Sequence, residues 1–185
     1  MEIILGSKSP RRRELLSGMG IRFTAVDIHA DESFPSDLKG ADIPLYISRA
    51  KASAYREHLL SRQLLITADT IVWVDGVQLG KPRDAEEAAR MLGMLSGKTH
   101  QVFTGVALTG TDKQVVFTDA TDVTFRTLTK DEINHYVEVY RPMDKAGAYG
   151  IQEWIGYVGC TGLRGSYFNV MGLPTEKLYE ALQAF

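Results

Sequence analysis

The most constraining stretch of this chain is Leu64-Leu65-Ile66-Thr67-Ala68-Asp69-Thr70-Ile71-Val72-Trp73-Val74. It is strongly β-favouring and apolar, and it carries one charge, Asp69. A carboxylate within such a run is costly to bury unless it has a partner. Two kinds of partner suit it. One is a metal ion or catalytic water at a strand end. The other is a backbone turn or bulge that the carboxylate caps. Asp75-Gly76 then marks a hairpin turn into Val77–Leu79.

Further segments fill in an α/β pattern. Ile3–Leu5 reads as a short buried strand, broken by Gly6-Ser7-Lys8-Ser9-Pro10. A helix follows, with Ser9 as N-cap and Pro10 at its first position. Leu15, Leu16 and Met19 form its apolar stripe, and Gly18 or Gly20 ends it. Phe23–Val26 is a second short strand, and residues 27–42 form an acidic loop. Pro44 to Leu60 has helical spacing. Asp84 caps the next helix with Glu87 three residues on, an Asp version of the capping box, and Ser96-Gly97 stops it. Gln101–Leu108 and Val115–Phe125 are long β runs. Thr129 with Glu132 opens a helix to about Tyr140, stopped before Pro142. Residues 145–172 hold seven glycines and read as turns and short strands. Pro174 begins a C-terminal helix carrying Leu178, Leu182 and Phe185. Strands and helices mix throughout, with hairpins in the middle, so the expected fold is α/β with a mixed sheet bent or elongated by the hairpins.

Composition narrows the class. The chain has 185 residues, 44% hydrophobic and 24% charged, which suits a single domain over 1–185 and excludes disorder, collagen and coiled coil. A formal charge of −2 disfavours nonspecific binding to nucleic acid or an anionic membrane. Cys160 is the only cysteine, so no intrachain disulfide and no cysteine zinc cluster can form. It reads as a small, partly buried hydrophobe. No apolar run reaches membrane-span length, and Met1-Glu2-Ile3-Ile4-Leu5 lacks the pattern of a signal peptide. A cytoplasmic location is expected.

Charge is segregated along the chain. Residues 1–22 carry Lys8, Arg11, Arg12, Arg13 and Arg22 against two acids. Residues 27–42 carry Asp27, Asp31, Glu32, Asp37 and Asp42 against Lys39. Adjacent cationic and acidic segments suit a site for a polyanion with a divalent cation; a solvated surface is the plainer reading. The junction at Ser7, Ser9, Arg11 and Arg12 offers a helix N-terminus, hydroxyl donors and planar cations, all suited to phosphate. Capping by Ser9 with surface arginines explains the same residues. The Walker A spacing is absent.

Lys51, between Ala50 and Ala52, either points its amine into a cleft or snorkels to solvent. Lys81, in Gly80-Lys81-Pro82, either returns beside Asp69 or sits exposed in its loop. Glu32 is a candidate metal ligand within a solvated acidic loop. His100 reads as a satisfied structural histidine, and His29, His58 and His135 have no metal-type spacing with it.

These segments together resemble the Maf family of nucleoside triphosphate pyrophosphatases. The strings that carry the likeness begin with Ser7-Lys8-Ser9-Pro10-Arg11-Arg12, Ala50-Lys51-Ala52, Ala68-Asp69-Thr70 and Gly80-Lys81-Pro82. They continue with Leu95-Ser96-Gly97-Lys98-Thr99-His100, Thr104-Gly105, Ala148-Tyr149-Gly150-Ile151-Gln152 and Gly165-Ser166-Tyr167 through Gly172-Leu173-Pro174. Each is weak alone; their order over nearly the whole chain is specific.

The resemblance implies a mixed, elongated sheet with two lobes around a cleft, related to the inosine triphosphate pyrophosphatases, and a homodimer. It implies hydrolysis of a nucleoside triphosphate at the α–β bond, giving a monophosphate and pyrophosphate. Asp69 takes the proton-acceptor position, and Asp69 with Glu32 are the candidate ligands of magnesium or manganese. Ser7, Ser9, Arg11, Arg12, Lys51 and Lys81 are candidates for binding phosphate. Arg12, Thr70 and Gln152 take the base-specificity positions in the combination of the dTTP and UTP subfamily. Glu153 departs from the pattern, standing where a glycine commonly follows the glutamine. Two other classes compete with the enzyme. One is a non-catalytic nucleotide-binding regulator of cell division, since the family is linked by name to septum formation. The other is a nucleic-acid-binding module on Lys8 to Arg13, which lacks a broad basic face.

Overall fold

The computed structural model describes residues 1–185. Its strands are β1 (Glu2–Gly6), β2 (Phe23–Val26), β3 (Gln63–Val74), β4 (Val77–Leu79), β5 (Thr99–Thr109), β6 (Gln114–Phe125) and β7 (Cys160–Arg164). Its helices are α1 (Pro10–Gly18), α2 (Asp42–Tyr55), α3 (Ala85–Leu95), α4 (Lys130–Tyr140), α5 (Trp154–Gly159), α6 (Tyr167–Met171) and α7 (Thr175–Gln183), with 3₁₀ turns at Arg56–His58 and Ala146–Ala148. The strand order is β2-β1-β3-β5-β6-β7, with β4 on β3. β1 pairs with β2 and β3 in parallel, whereas β3–β4 and β6–β7 are antiparallel. The sheet is therefore mixed, as expected. No helix is long and apolar enough to cross a membrane.

Two compact units emerge from the packing. The first comprises residues 1–70, 104–119 and 172–185; the second comprises 71–103 and 120–171. The first unit's core joins Ile4, Ala52, Leu59, Leu65 and Ala107, with Val26, Ile28, Tyr55 and Val116 against it. Gly105 is required there by close approach: a Cβ would lie 2.4 Å from the backbone of Pro44 and Leu45 at the start of α2. In the second unit α3 packs on α4, burying Ala88, Met91, Leu92 and Leu95 from one and Ile133, Tyr136 and Val137 from the other.

Local signals are realised closely. Ser9 caps α1 by accepting from Arg12 N, with Pro10 in the first turn. Thr129 and Glu132 form a complete reciprocal capping box, and Arg141 ends α4 in the left-handed region. Three expectations need correction. The Asp84–Glu87 box is half formed: Asp84 caps Glu87 N, but the Glu87 carboxylate accepts from Arg83 N instead of the cap's own amide. The helix expected over 44–60 starts at Asp42 and ends at Tyr55, because Leu59 turns inward to join the core. Residues 145–172 hold two short helices, α5 and α6, besides turns and a strand. Glycine content disguised α5. Gly156 is tolerated there because its missing side chain makes room for the Ile151 carbonyl, so tertiary packing overrides propensity. Pro174 occupies the cap position of α7, one residue before the helix.

His100 is structural. It is buried, shares a 2.7 Å hydrogen bond with Tyr149 Oη through Nε2, and packs edge-on against Phe125 and Tyr149. Burial lowers its pKa from 6.5 to about 4. In the unfolded chain it would titrate near its ordinary value. Between those two pH values the unfolded state binds more protons, so this contribution is complete above pH 6.5 and is lost as pH falls toward 4. Denaturant unfolding of the native chain should therefore lose on the order of 3 kcal/mol more than His100→Gln across that window.

Candidate active site

The parallel register of β1 on β3 builds the site in the first unit. Leu5 pairs with Ile66 and Gly6 with Thr67, so the loop that starts at Ser7 leaves β1 level with Ala68 and Asp69. The N-terminus of α1 is thus delivered to the carboxyl ends of parallel strands, where open α/β sheets place ligands.

Helix α2 delivers Lys51 to the same place. Thr67 Oγ1 donates to the Ser48 carbonyl at 2.7 Å and locks α2 onto β3. Thr67 and Asp69, two apart on a strand, share one face; Ser48 and Lys51, three apart on a helix, share another. Fixing the first pair brings the second together. Lys51 Nζ lies 2.8 Å from Asp69 Oδ1 and 2.9 Å from Glu32 Oε1. The side chains of Lys51 and Asp69 are 13% and 15% exposed, so this is not a surface ion pair, while Glu32 is 56% exposed. Glu32 sits in the acidic loop beside a turn in which Asp31 accepts from Ser33 N and Ser33 Oγ. Lys51 therefore points inward, which settles its two readings, and the partner of Asp69 is this ammonium.

Arg12 is the second cation. Its Nε donates to the Gly172 carbonyl at 2.8 Å, Nη2 donates to Thr70 Oγ1 at 3.0 Å, and Nη1 reaches Ser7 Oγ at 3.5 Å. Thr70 Oγ1 shares a further bond with Thr104 Oγ1 at 2.9 Å. Gly172 holds φ +120°, a backbone region that favours glycine, and this turns its carbonyl toward the fork. Desolvation is the largest influence on Arg12 and lowers its pKa; Asp69 raises it, Arg11 lowers it and Glu32 raises it. Those influences place Arg11, Asp69 and Glu32 in the electrostatic neighbourhood of one guanidinium.

Ser7 and Ser9 spend their side-chain oxygens locally. Ser7 Oγ accepts from Ser9 N at 3.2 Å, and Ser9 Oγ accepts from Arg12 N at 3.4 Å. Ser9 is thus the helix cap, Ser7 braces the loop before it, and Arg12 is bonded inward, not a surface arginine. Seven of the candidate residues thus meet in the first unit: Ser7, Ser9, Arg12, Glu32, Lys51, Asp69 and Thr70. Arg11 stands next to them at half exposure.

Lys81 and Gln152 belong to the second unit. Lys81 is exposed in the loop after β4. Gln152 lies in a turn closed by Glu153 N donating to the Gly150 carbonyl at 3.0 Å, and its side-chain oxygen is buried without a hydrogen-bond partner. Sequence reasoning assigned no role to Thr104, to the Gly172 carbonyl, or to Tyr136 and Lys145, which flank the Gln152 turn. Thr104-Gly105 and Gly172 were at least visible as matching strings; nothing pointed to Tyr136 or Lys145.

The donor set fits a hard divalent cation in part. Glu32 and Asp69 supply carboxylate oxygens that already share one cation, Lys51. No group of three or more histidine, cysteine or acidic side chains exists to cage a metal. Two carboxylates completed by water and phosphate oxygens is an ordinary magnesium environment.

The family model described as Maf-like protein matches residues 2–185. A Bacteroides thetaiotaomicron protein named dTTP/UTP pyrophosphatase is 58% identical over 183 residues, covering 98% of this chain and 95% of that protein. A Phocaeicola vulgatus protein of the same name is 55% identical with the same coverage. Among solved structures, the Staphylococcus aureus Ham1 protein aligns over 100% of this chain and 98% of its own, with a TM-score of 0.56 at 14% identity, which is a likeness of fold.

The Arg12 network gives a direct test. Arg12→Lys and Thr70→Val should each lower unfolding free energy by about 1–2 kcal/mol, since each strands a partly buried polar partner. The double variant should fall short of additivity by at least about 0.5 kcal/mol in urea titrations, because both remove one shared bond.

Proposed function

Because this chain belongs to the Maf-like protein family, we propose that it is a nucleoside triphosphate pyrophosphatase acting on dTTP and UTP. Water enters, the α–β anhydride bond breaks, and a nucleoside monophosphate and pyrophosphate leave. The observation that carries this reading is the placement of Asp69. It stands at the end of a parallel strand pair, bonded to Lys51 and within the electrostatic reach of Arg12, beside a helix N-terminus. A carboxylate so placed can orient a water molecule and take its proton while cations receive the charge that builds on pyrophosphate.

In this reading Asp69 is the general base through its carboxylate. Lys51, Arg11 and Lys81 neutralise phosphate oxygens, and the hydroxyls of Ser7 and Ser9 donate hydrogen bonds to them. Glu32 and Asp69 would hold a magnesium or manganese ion, which would supply polarisation of phosphoryl oxygens and offset substrate charge. Arg12 and Thr70, already bonded to each other, and Gln152 present hydrogen-bonding groups to the pyrimidine edge. Such groups reject a wrong base by remaining unpaired against it. The same reading includes a homodimer in the cytoplasm, supported by the family resemblance; sedimentation of the purified chain tests the first part.

Incubation with dTTP or UTP and magnesium or manganese should release pyrophosphate and no orthophosphate, and chelation should stop it. Asp69→Asn should cut kcat by at least about 100-fold, the usual scale for loss of general-base help. Turnover that survives this substitution, or orthophosphate as the product, would end the proposal.

A further inference from the structure

The proposed chemistry leaves a buried polar cluster in the second unit without a task. Lys145 is 8% exposed, a rare placement for a lysine. Its Nζ lies 3.1 Å from Glu153 Oε1 and 2.8 Å from Asp144 Oδ1. The other Glu153 oxygen accepts the hydroxyl proton of Tyr136, a fully buried tyrosine. The same Tyr136 oxygen accepts from Gly150 N at 3.0 Å. Burial and the nearby Glu153 carboxylate raise the Tyr136 pKa, so its hydroxyl keeps its proton and its donor role.

These bonds converge on one short turn. Glu153 N donates to the Gly150 carbonyl, closing residues 150–153. Tyr136 then grips the amide of Gly150 at one end and the carboxylate of Glu153 at the other. Gly150 packs against the cluster so closely that a Cβ would lie 3.0 Å from Lys145 Cε and 3.1 Å from Glu153 Cδ. Within this clamped turn sits Gln152, whose side-chain oxygen is buried and unpartnered. A buried ion pair is a poor source of net stability, because desolvation offsets its attraction. What the pair does supply is fixed geometry.

We propose that Tyr136, Lys145 and Glu153 are positioning residues that hold the Gln152 amide in the orientation that reads the nucleobase. The inference rests on the reading of Gln152 as a base-contacting residue. It assigns the cluster to selectivity, not to phosphate chemistry. An amide free to rotate about its side-chain bonds would lose orientation before binding and so lose discrimination.

Two measurements test it. Tyr136→Phe keeps the ring and removes the hydroxyl that serves both ends of the turn; Glu153→Gln keeps a neutral acceptor and should show a weaker form of the same defect. The first measurement compares kcat/KM for dTTP with that for dGTP, alongside competitive inhibition by inorganic tripolyphosphate, which has no base. Tyr136→Phe should reduce the dTTP preference about tenfold, mainly through KM, with tripolyphosphate inhibition unchanged. An unchanged preference, or equal weakening of dTTP and tripolyphosphate, overturns the inference. The second measurement needs no turnover. In Tyr136→Phe the hydrogen exchange of the Gly150 amide should rise at least about tenfold, and the Gln152 side-chain amide resonances should shift. If neither moves, the cluster does not position Gln152. Failure of the native chain to release pyrophosphate from dTTP would instead refute the proposed function, while the amide measurements would still decide the positioning.

Discussion

A carboxylate set into a sheet requires a cation, and here Asp69 has Lys51. Breaking a buried pair by removing one partner typically costs about 3–5 kcal/mol, because the remaining charge is left uncompensated. The rest of the first unit is arranged so that this pair forms. The Thr67–Ser48 bond clamps α2 to β3, and Gly105 lets β5 approach the start of that helix. The small residues around Lys51 serve the same end: Ala52 is fully buried in the core, so the helix lies flat enough for its neighbour's amine to reach the strand. The parallel pairing of β1 then brings the end of α1 to the same level.

The charge balance of this cluster follows from its members. Arg11, Arg12 and Lys51 outnumber Glu32 and Asp69 by one positive charge. That is a surplus that attracts anions yet leaves two acids to share a cation. Desolvation lowers the Arg12 pKa, the nearby Asp69 carboxylate opposes that effect, and a guanidinium keeps its charge in proteins. Its position also constrains what it can do. Its Nε and Nη2 are committed to Gly172 and Thr70 and its Nη1 faces Ser7 Oγ, so it acts as a brace first and offers its remaining N–H donors in a fixed direction. Preorganised donors of this kind need no reordering when a ligand arrives.

How much of this was legible depends on the range of each interaction. Ser9 with Pro10 and Thr129 with Glu132 were readable because caps are made within a few residues. The strands were readable from composition, and Asp69 from its contrast with its neighbours. Lys51 was ambiguous because its direction depends on α2 docking against β3, a contact between segments 18 residues apart that no local pattern records. The brace from Arg12 to Gly172 spans 160 residues and was invisible beyond the matching strings at either end. Helix α5 was missed because its glycines answer to packing around the Ile151 carbonyl, which outweighs their poor propensity. Tyr136 and Lys145 carry no signal at all, since an aromatic on an amphipathic helix and a loop lysine both have ordinary readings.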